Sequence, residues 1–487
     1  MGGSIIFLIE EVCCMEAFVQ AVTDINNAIN GVVWGLPMMA LIVGTGLVMS
    51  FGIGFKQFAK FGYWWKNTIG KALKRTEAKE GAVTPFQAMC TALAASVGTG
   101  NIAGVSGAIA IGGPGAVFWM WVSALVGMAT KFSEVTLAVH YRERNSKGDW
   151  VGGPMYYIKN GLGKSWKWLG ILFCLFASLA AFGIGNMTQV NTIAATVTEA
   201  IQIFSPDVDV FKTKLIIGII LAIIAAVILI GGIKRIGQVC ELLVPAMAIL
   251  YIVAGIGVVI MNVDQIPTVF GAIIKGAFNP ESVSGGLVGV TIMTAIKKGV
   301  GRGVFSNEAG LGSAPIAHSA ADVDDPVKQG LFGMFEVFAD TIVICSLTAF
   351  IVLCGNGVDG IEYGKDIGAT LTINGLKSLY SPGVATVLVA VALTLFAFST
   401  VLTWALYGAR SIEYLLGTKA ILPYQVIFCI FMVVGTVIKL DLAWAIADTL
   451  NGLMALPNLI AVLLLSPVVF KLTREHFARV KAGKLED

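Results

Sequence analysis

From about residue 31 to residue 470 the chain repeats one pattern: an apolar run of about twenty or more residues, then a polar link. A helical run of that length matches the hydrocarbon thickness of a bilayer, and only helices and closed barrels satisfy their backbone there. The pattern therefore specifies an all-α polytopic membrane protein. Eleven spans are expected, at 31–53, 84–111, 115–140, 167–199, 213–232, 240–262, 285–316, 327–354, 382–412, 421–440 and 443–470. Hydrophobic residues make up 56% of the 487 and charged residues 13%, well under the roughly 25% charge share of soluble domains. The longest links, 54–83, 141–166 and 355–381, are too short to hold a separate enzyme.

The sorting of charge orients the spans. Lys56, Lys60, Lys66, Lys71, Lys74, Arg75 and Lys79 follow span 1, and Arg142, Arg144, Lys147, Lys159, Lys164 and Lys167 follow span 3. Further basic residues follow spans 5, 7 and 9 and fill the tail, while the opposite side holds only Lys212, Lys214, Lys275, Lys365, Lys377 and Lys439. Basic loops stay cytoplasmic. The expected placement is a cell membrane, multi-pass, with the N-terminus outside and the C-terminus in the cytoplasm. The first residues lack a basic region and carry Glu10 and Glu11, so they do not read as a signal peptide. Residues 66–80 are expected along the membrane surface, with anionic lipid as the sharper alternative. The net charge of +3 includes no patch suited to nucleic acid, and no heptad reports an oligomeric state. The eight cysteines show no CxxC spacing and the three histidines no cluster, so a metal or redox centre is not expected.

Within span 2 lies SVGTGNIAG, Ser96 to Gly104. Gly98 and Gly100 let a helix unwind, and irregular backbone at membrane depth is tolerated only when buried in protein or lining a cavity. The half beginning near Asn101 would aim free N–H groups and a positive dipole end at the midplane, a site for a carboxylate. The half ending near Val97 would offer carbonyls to a cation. Close helix packing through Gly100 and Gly104 is the alternative, although packing does not require a buried asparagine.

Span 7, GGLVGVTIMTAIKKGVGRGVFSNEAGLGSAPIAH, is interrupted in the same way and carries Lys297, Lys298, Arg302 and Glu308. With span 1 set aside, spans 2–6 and 7–11 form two sets of five with opposite topology, each opening on a broken helix. That pairing points to a secondary transporter. The expected organisation is an N-terminal segment 1–30, an extra helix with its basic linker 31–83, repeats at 84–262 and 285–470, and a tail 471–487.

GGPGAVFWMWV (Gly112 to Val122) resembles the signature of the alanine/glycine:cation symporters. SVGTGNIAG, GGPMYYI (Gly152 to Ile158) and SNEAGLGSAPIAH (Ser306 to His318) are similar to other blocks of that family. The likeness runs from about Trp34 to Pro467. It implies sodium-coupled uptake of small neutral amino acids, alanine and glycine, on a LeuT-type five-plus-five inverted repeat behind one extra helix, and no enzymatic activity.

By that resemblance the substrate carboxylate sits on the amides of Thr99 and Gly100, Asn101 contacts substrate or ion, and Gln189 is a polar substrate contact. Phe305 and Trp404 wall the pocket and limit side-chain size; ordinary packing or an interfacial belt is their alternative. Sodium, the coupling ion, needs several oxygens. The Phe396 carbonyl with the Ser399 and Thr400 hydroxyls offers three on one helix face, and the carbonyls of Ala94 and Val97 complete the set. Hydroxyls that only bond back to their own helix are the competing reading.

Lys131 and Glu134, three apart on span 3, are positioned to pair. Glu241, Glu336, Asp340 and Asp448 need partners or a wet cavity; structural pairing is favoured over a proton relay. Asp322, Asp324 and Asp325 read as the solvated cap of span 8. Proton coupling on the same fold is the alternative function, with an ion channel behind it. No HExxH, GxSxG or paired catalytic carboxylates appear.

Overall fold

The computed structural model describes residues 20–72, 78–279, 291–365, 367–438 and 441–485. Cys13 and Cys14, the residues Glu10 and Glu11, the basic pair Lys74 and Arg75, and the start of span 7 lie outside the described residues.

Nine helices among the described residues are long and apolar enough to cross a membrane. A tenth arises from Pro85–Ser96 and Gly100–Gly112, which meet at a 51° bend in the expected span 2. The eleventh expected segment appears as the sixteen-residue helix Ile292–Asn307 followed by the short helix Ala314–His318. It is shorter and more charged than the other spans, and its Lys297, Lys298 and Arg302 line an open vestibule. Span 1 begins earlier than expected, running Gln20–Gly52. Span 4 is the 41-residue Lys164–Phe204, and span 9 the 35-residue Pro382–Leu416, roughly 52 Å at 1.5 Å per residue and thus longer than the ~30 Å core. After Trp444–Leu464 the chain starts a separate helix, Ser466–Lys481, with Pro467 in its first turn.

Burial sorts the helices into centre and rim. The apolar stretch of Gly115–His140 is 83% buried inside the protein, against 28% for Val210–Leu229 and for Thr418–Val437. Ile216, Ile219, Ile220 and Ile223 stand exposed on the first of these rim helices, as lipid-facing side chains must. Glycines press the broken helix 292–307 onto the central one. Any Cβ at Gly299 or Gly303 would strike Ala116, Met120 or Ser123.

Local chemistry explains each break. Thr84 accepts from the Gln87 N–H while the Gln87 side chain accepts from the Thr84 N–H, a capping box that starts Pro85–Ser96. Past Val97, Asn101 Oδ1 accepts from the Gly98 N–H at 2.9 Å, and the helix resumes through a widened π turn, Gly100–Gly104. Thr291 caps Ile292–Asn307, which ends where Glu308 adopts a left-handed φ of 55°. Gly310 and Gly312, also at positive φ, then carry the chain to Ala314–His318.

Several loops between the spans are tied down by side chains. Glu143–Arg144 and Trp150–Val151 form a two-stranded hairpin, and Arg142 donates to the carbonyls of Ser319, Ala321 and Val323. Asp325 does cap span 8, accepting from the Val327 N–H, but it is not solvated. It is buried under the last helix, which holds it through His476 Nδ1 at 2.8 Å and Arg479 Nη2 at 2.6 Å.

Candidate substrate and ion site

The two breaks lie side by side. A Cβ on Gly100 would meet the Phe305 ring at 3.4 Å, and Gly104 leaves room for the Arg302 guanidinium. The glycines of the expected packing motif thus both open the helix and admit its neighbour. Asn101 is fully buried and spent on structure: Oδ1 holds the Gly98 N–H, and Nδ2 donates to Asp340 Oδ1 at 2.6 Å. Ser306, from the other break, donates to the same carboxylate oxygen at 3.1 Å. Asp340 lies in another widened turn, Phe338–Cys345, so one carboxylate fastens both breaks to span 8.

Between the breaks is a narrow cavity of about 10 Å³, room for one water molecule. Gly98, Gly100, Gln189, Phe305, Thr400 and Trp404 line it, with Ala95, Ser96, Ile184, Ser306, Glu308 and Asn451. Of the residues expected at the substrate, Gly100, Gln189, Phe305 and Trp404 meet there. The Thr99 N–H points at Gln189 Oε1, 3.5 Å away. Gln189 Nε2 donates to the Ile184 carbonyl, which lies in the widened turn Gly183–Met187 and also accepts from the Thr188 hydroxyl. That turn also seats Trp404, since a Cβ on Gly185 would collide with the indole.

The expected oxygen cluster is assembled at the cavity wall, where Thr400 itself lies. Thr400 Oγ1 lies 3.0 Å from the Ala94 carbonyl and 3.0 Å from the Phe396 carbonyl. Ser399 Oγ lies 2.8 Å from Phe396 O and 3.3 Å from Ala94 O. The hydroxyls therefore bond back within their own helix and also reach across to span 2. Val97 is the residue at which Pro85–Ser96 ends.

The buried charges pair differently from the sequence expectation. Lys131 Nζ meets Glu336 Oε1 at 3.2 Å, not Glu134. Glu134 instead accepts from Asn458, whose Oδ1 takes the Tyr157 hydroxyl. Glu336 also accepts from Ser96 at 2.7 Å and His318 Nε2 at 3.1 Å. Gln329 Nε2 can only donate, so His318 Nδ1 accepts and Nε2 carries the proton given to Glu336. The acceptor of Ser96, at the mouth of the break, is thus a hub tied to spans 3 and 7.

Phe305 has a second face. It lines a vestibule of about 640 Å³ with Asn30, Trp34, Lys298, Arg302 and Asp448, and Arg302 stacks over its ring at 4.8 Å. Phe305 is thus shared by the vestibule and the inner cavity. Several lining residues carry little sequence signal. Glu308 stands out only as an expensive charge, and Ile184, Ser306 and Asn451 look like ordinary span residues. A lone polar residue in an apolar run does not say which way it faces.

Known proteins agree with this architecture. The family model described as "Sodium:alanine symporter family" matches residues 19–487. The sodium/alanine symporter AgcS of Methanococcus maripaludis is 45% identical over 451 residues, covering 92% of this chain and 96% of that protein. The probable sodium/glutamine symporter GlnT of Bacillus subtilis is 37% identical over 466 residues, 96% of this chain and 93% of its own. Among solved structures, MhsT in complex with L-phenylalanine superposes with a TM-score of 0.55 at 11% identity, over 81% of this chain and 99% of that one. At that identity the likeness is one of fold alone, and the fold is the LeuT-type arrangement of amino-acid transporters. Spanning helices, paired breaks and family match together make this chain a multi-pass membrane transporter and not an enzyme: it belongs to the sodium:alanine symporter family.

Proposed function

We propose that this protein carries a small neutral amino acid, alanine or glycine, into the cell together with sodium, by alternating access. The observation that carries the reading is the convergence of the Ala94 and Phe396 carbonyls with the Ser399 and Thr400 hydroxyls, next to the cavity at the span 2 break. Sodium would sit among these oxygens, the hydroxyls keeping their hydrogens and turning lone pairs toward it, with the Val97 carbonyl as a further ligand. Unwound backbone beside a half-helix end supports cation binding at such a place. The substrate carboxylate would meet the amides of Thr99 and Gly100 at the positive end of the following half-helix. Asn101 holds that backbone open, and Gln189 orients the Thr99 amide.

Side-chain size follows from the walls. Phe305, Trp404 and Ile184 enclose a space so small that a methyl group or a hydrogen is favoured. The relative named for glutamine shows why the family match alone does not choose the substrate. The two five-helix repeats, 84–262 and 285–470, would rock about this site. The orientation with N-terminus outside and C-terminus inside is supported by basic side chains at one end, where Lys56 and Lys60 lie over the Phe477 ring of the last helix.

Proton coupling is a second reading, favoured by the Asp340 carboxylate that joins both breaks. Uptake of labelled L-alanine and glycine into proteoliposomes, under an inward gradient of sodium, potassium or protons, separates the two. Accumulation with sodium alone is expected. Accumulation with protons alone would transfer coupling to the buried carboxylates, and no accumulation by folded protein would refute the substrate.

A further inference from the structure

We infer that Glu308 and Asn451 form the ammonium-binding half of the inner cavity and so restrict it to ligands with a free amine. The inference rests on the cavity being the amino-acid site. A zwitterion at membrane depth brings two charges. The N–H groups of the span 2 break answer the carboxylate, but an ammonium group donates three hydrogens and needs acceptors.

The acceptors lining the cavity are unequally committed. Ser96 and Ser306 already bond to Glu336 and Asp340, Thr400 to backbone carbonyls, and Gln189 Oε1 faces the Thr99 amide. Asn451 Oδ1 is different. It is buried, its residue is 1% exposed, and it has no hydrogen-bond partner among the described residues. A buried orphan acceptor costs free energy, and one that persists in a cavity wall calls for a missing donor.

Glu308 supplies the charge. It is 2% exposed and has no ion-pair partner among the described residues; Lys131, the buried cation of this region, is engaged by Glu336. Its Oε2 receives the Ser313 hydroxyl at 2.6 Å. Glu308 also holds a left-handed backbone that L side chains rarely adopt. The Glu308 N–H still bonds to the Val304 carbonyl, while its own carbonyl accepts from Leu311. This is the turn at which the helix stops and the side chain is left at the cavity. A carboxylate kept where glycine would be easier, beside an orphan amide oxygen, is the arrangement a primary ammonium requires. An α-amino acid would then reach from Gly100 on one break to Glu308 on the other, both of which line the cavity.

The test is equilibrium binding of labelled L-alanine to the purified full-length protein in sodium, with competitors that alter only the amine: L-lactate, propionate and N,N,N-trimethylalanine. All three should compete at least about 100-fold more weakly than alanine. Glu308→Gln should weaken alanine binding about 30-fold, as loss of a charged hydrogen-bond acceptor does. Adding Asn451→Asp should restore it to within about threefold, by moving the carboxylate to the other acceptor. Sodium-dependent thermal stabilisation without amino acid should persist in both variants and reports folding. Competition by lactate equal to alanine, unchanged affinity in Glu308→Gln, or a folded double variant as weak as the single one would each overturn the assignment. If Glu308→Gln does not fold, the competitor series on the native protein decides. Native protein that is folded but neither binds nor accumulates alanine would instead refute the proposed function itself.

Discussion

Gly98 leaves almost no slack at the proposed cation end of the site. A Cβ there would lie 2.7 Å from Thr400 Oγ1, closer than real Cβ contacts come. Gly98→Ala should push that hydroxyl away and raise the sodium concentration for half-maximal alanine uptake about tenfold, ~1.4 kcal/mol. A sodium titration in proteoliposomes checks it, and an unchanged curve would remove Thr400 from the ligand set. Lys131 teaches a different lesson at the same scale. Its pair with Glu336 is wholly buried, so removing one partner strands a charge. Lys131→Met should cost about 3–5 kcal/mol, and Lys131→Met with Glu336→Gln should recover most of it. Thermal unfolding of the detergent-solubilised protein measures both. A double variant no more stable than the single one would mean that Lys131 matters for packing rather than charge.

Among the elements, three widened turns shape the site. Gly100–Gly104, Gly183–Met187 and Phe338–Cys345 each frees or redirects backbone groups of a different span near the cavity. The last helix, Ser466–Lys481, is held by Asp325. Burial raises the pKa of that carboxyl, but bonds from His476, the Val327 amide and Arg479 more than offset it and hold the group below its ordinary 3.8. A depressed carboxyl contributes stability above its unfolded pKa and loses it as pH falls through the lower folded value. The helix should therefore stay docked at neutral pH and loosen only in strong acid. Asp325→Asn should loosen it at pH 7, seen as faster tryptic cleavage after Arg474 and Arg479. Equal cleavage rates would show that packing alone retains the helix.

For the whole molecule, the prediction is reciprocity. In the proposed mode, cation ligands and carboxylate-binding amides flank one break, so each ligand would order the backbone the other uses. Saturating sodium should tighten alanine binding by some factor, and saturating alanine must tighten sodium binding by the same factor. Paired binding titrations test this, and a sodium effect on alanine of less than about twofold would separate the two sites energetically. Phe305 is shared by vestibule and cavity.

What one dimension specified was whatever rests on length, periodicity and local backbone chemistry. Apolar runs of bilayer length marked the spans, with 115–140 matching Gly115–His140, and glycines beside a lone asparagine marked the break at Ser96 to Gly104. The oxygens of Phe396, Ser399 and Thr400 were legible because helical spacing alone puts them on one face. Tertiary structure decided everything that depends on which way a side chain points. It gave Lys131 to Glu336 rather than to Glu134, and buried Asp325 under a helix some 150 residues away. It brought Asp340 to Asn101 and turned Glu308 and Asn451 to one small cavity. Those meetings join residues a hundred or more positions apart, or hinge on a single left-handed turn. Apolar periodicity encodes how deep a residue lies in the membrane, and it leaves open which neighbour that residue will face.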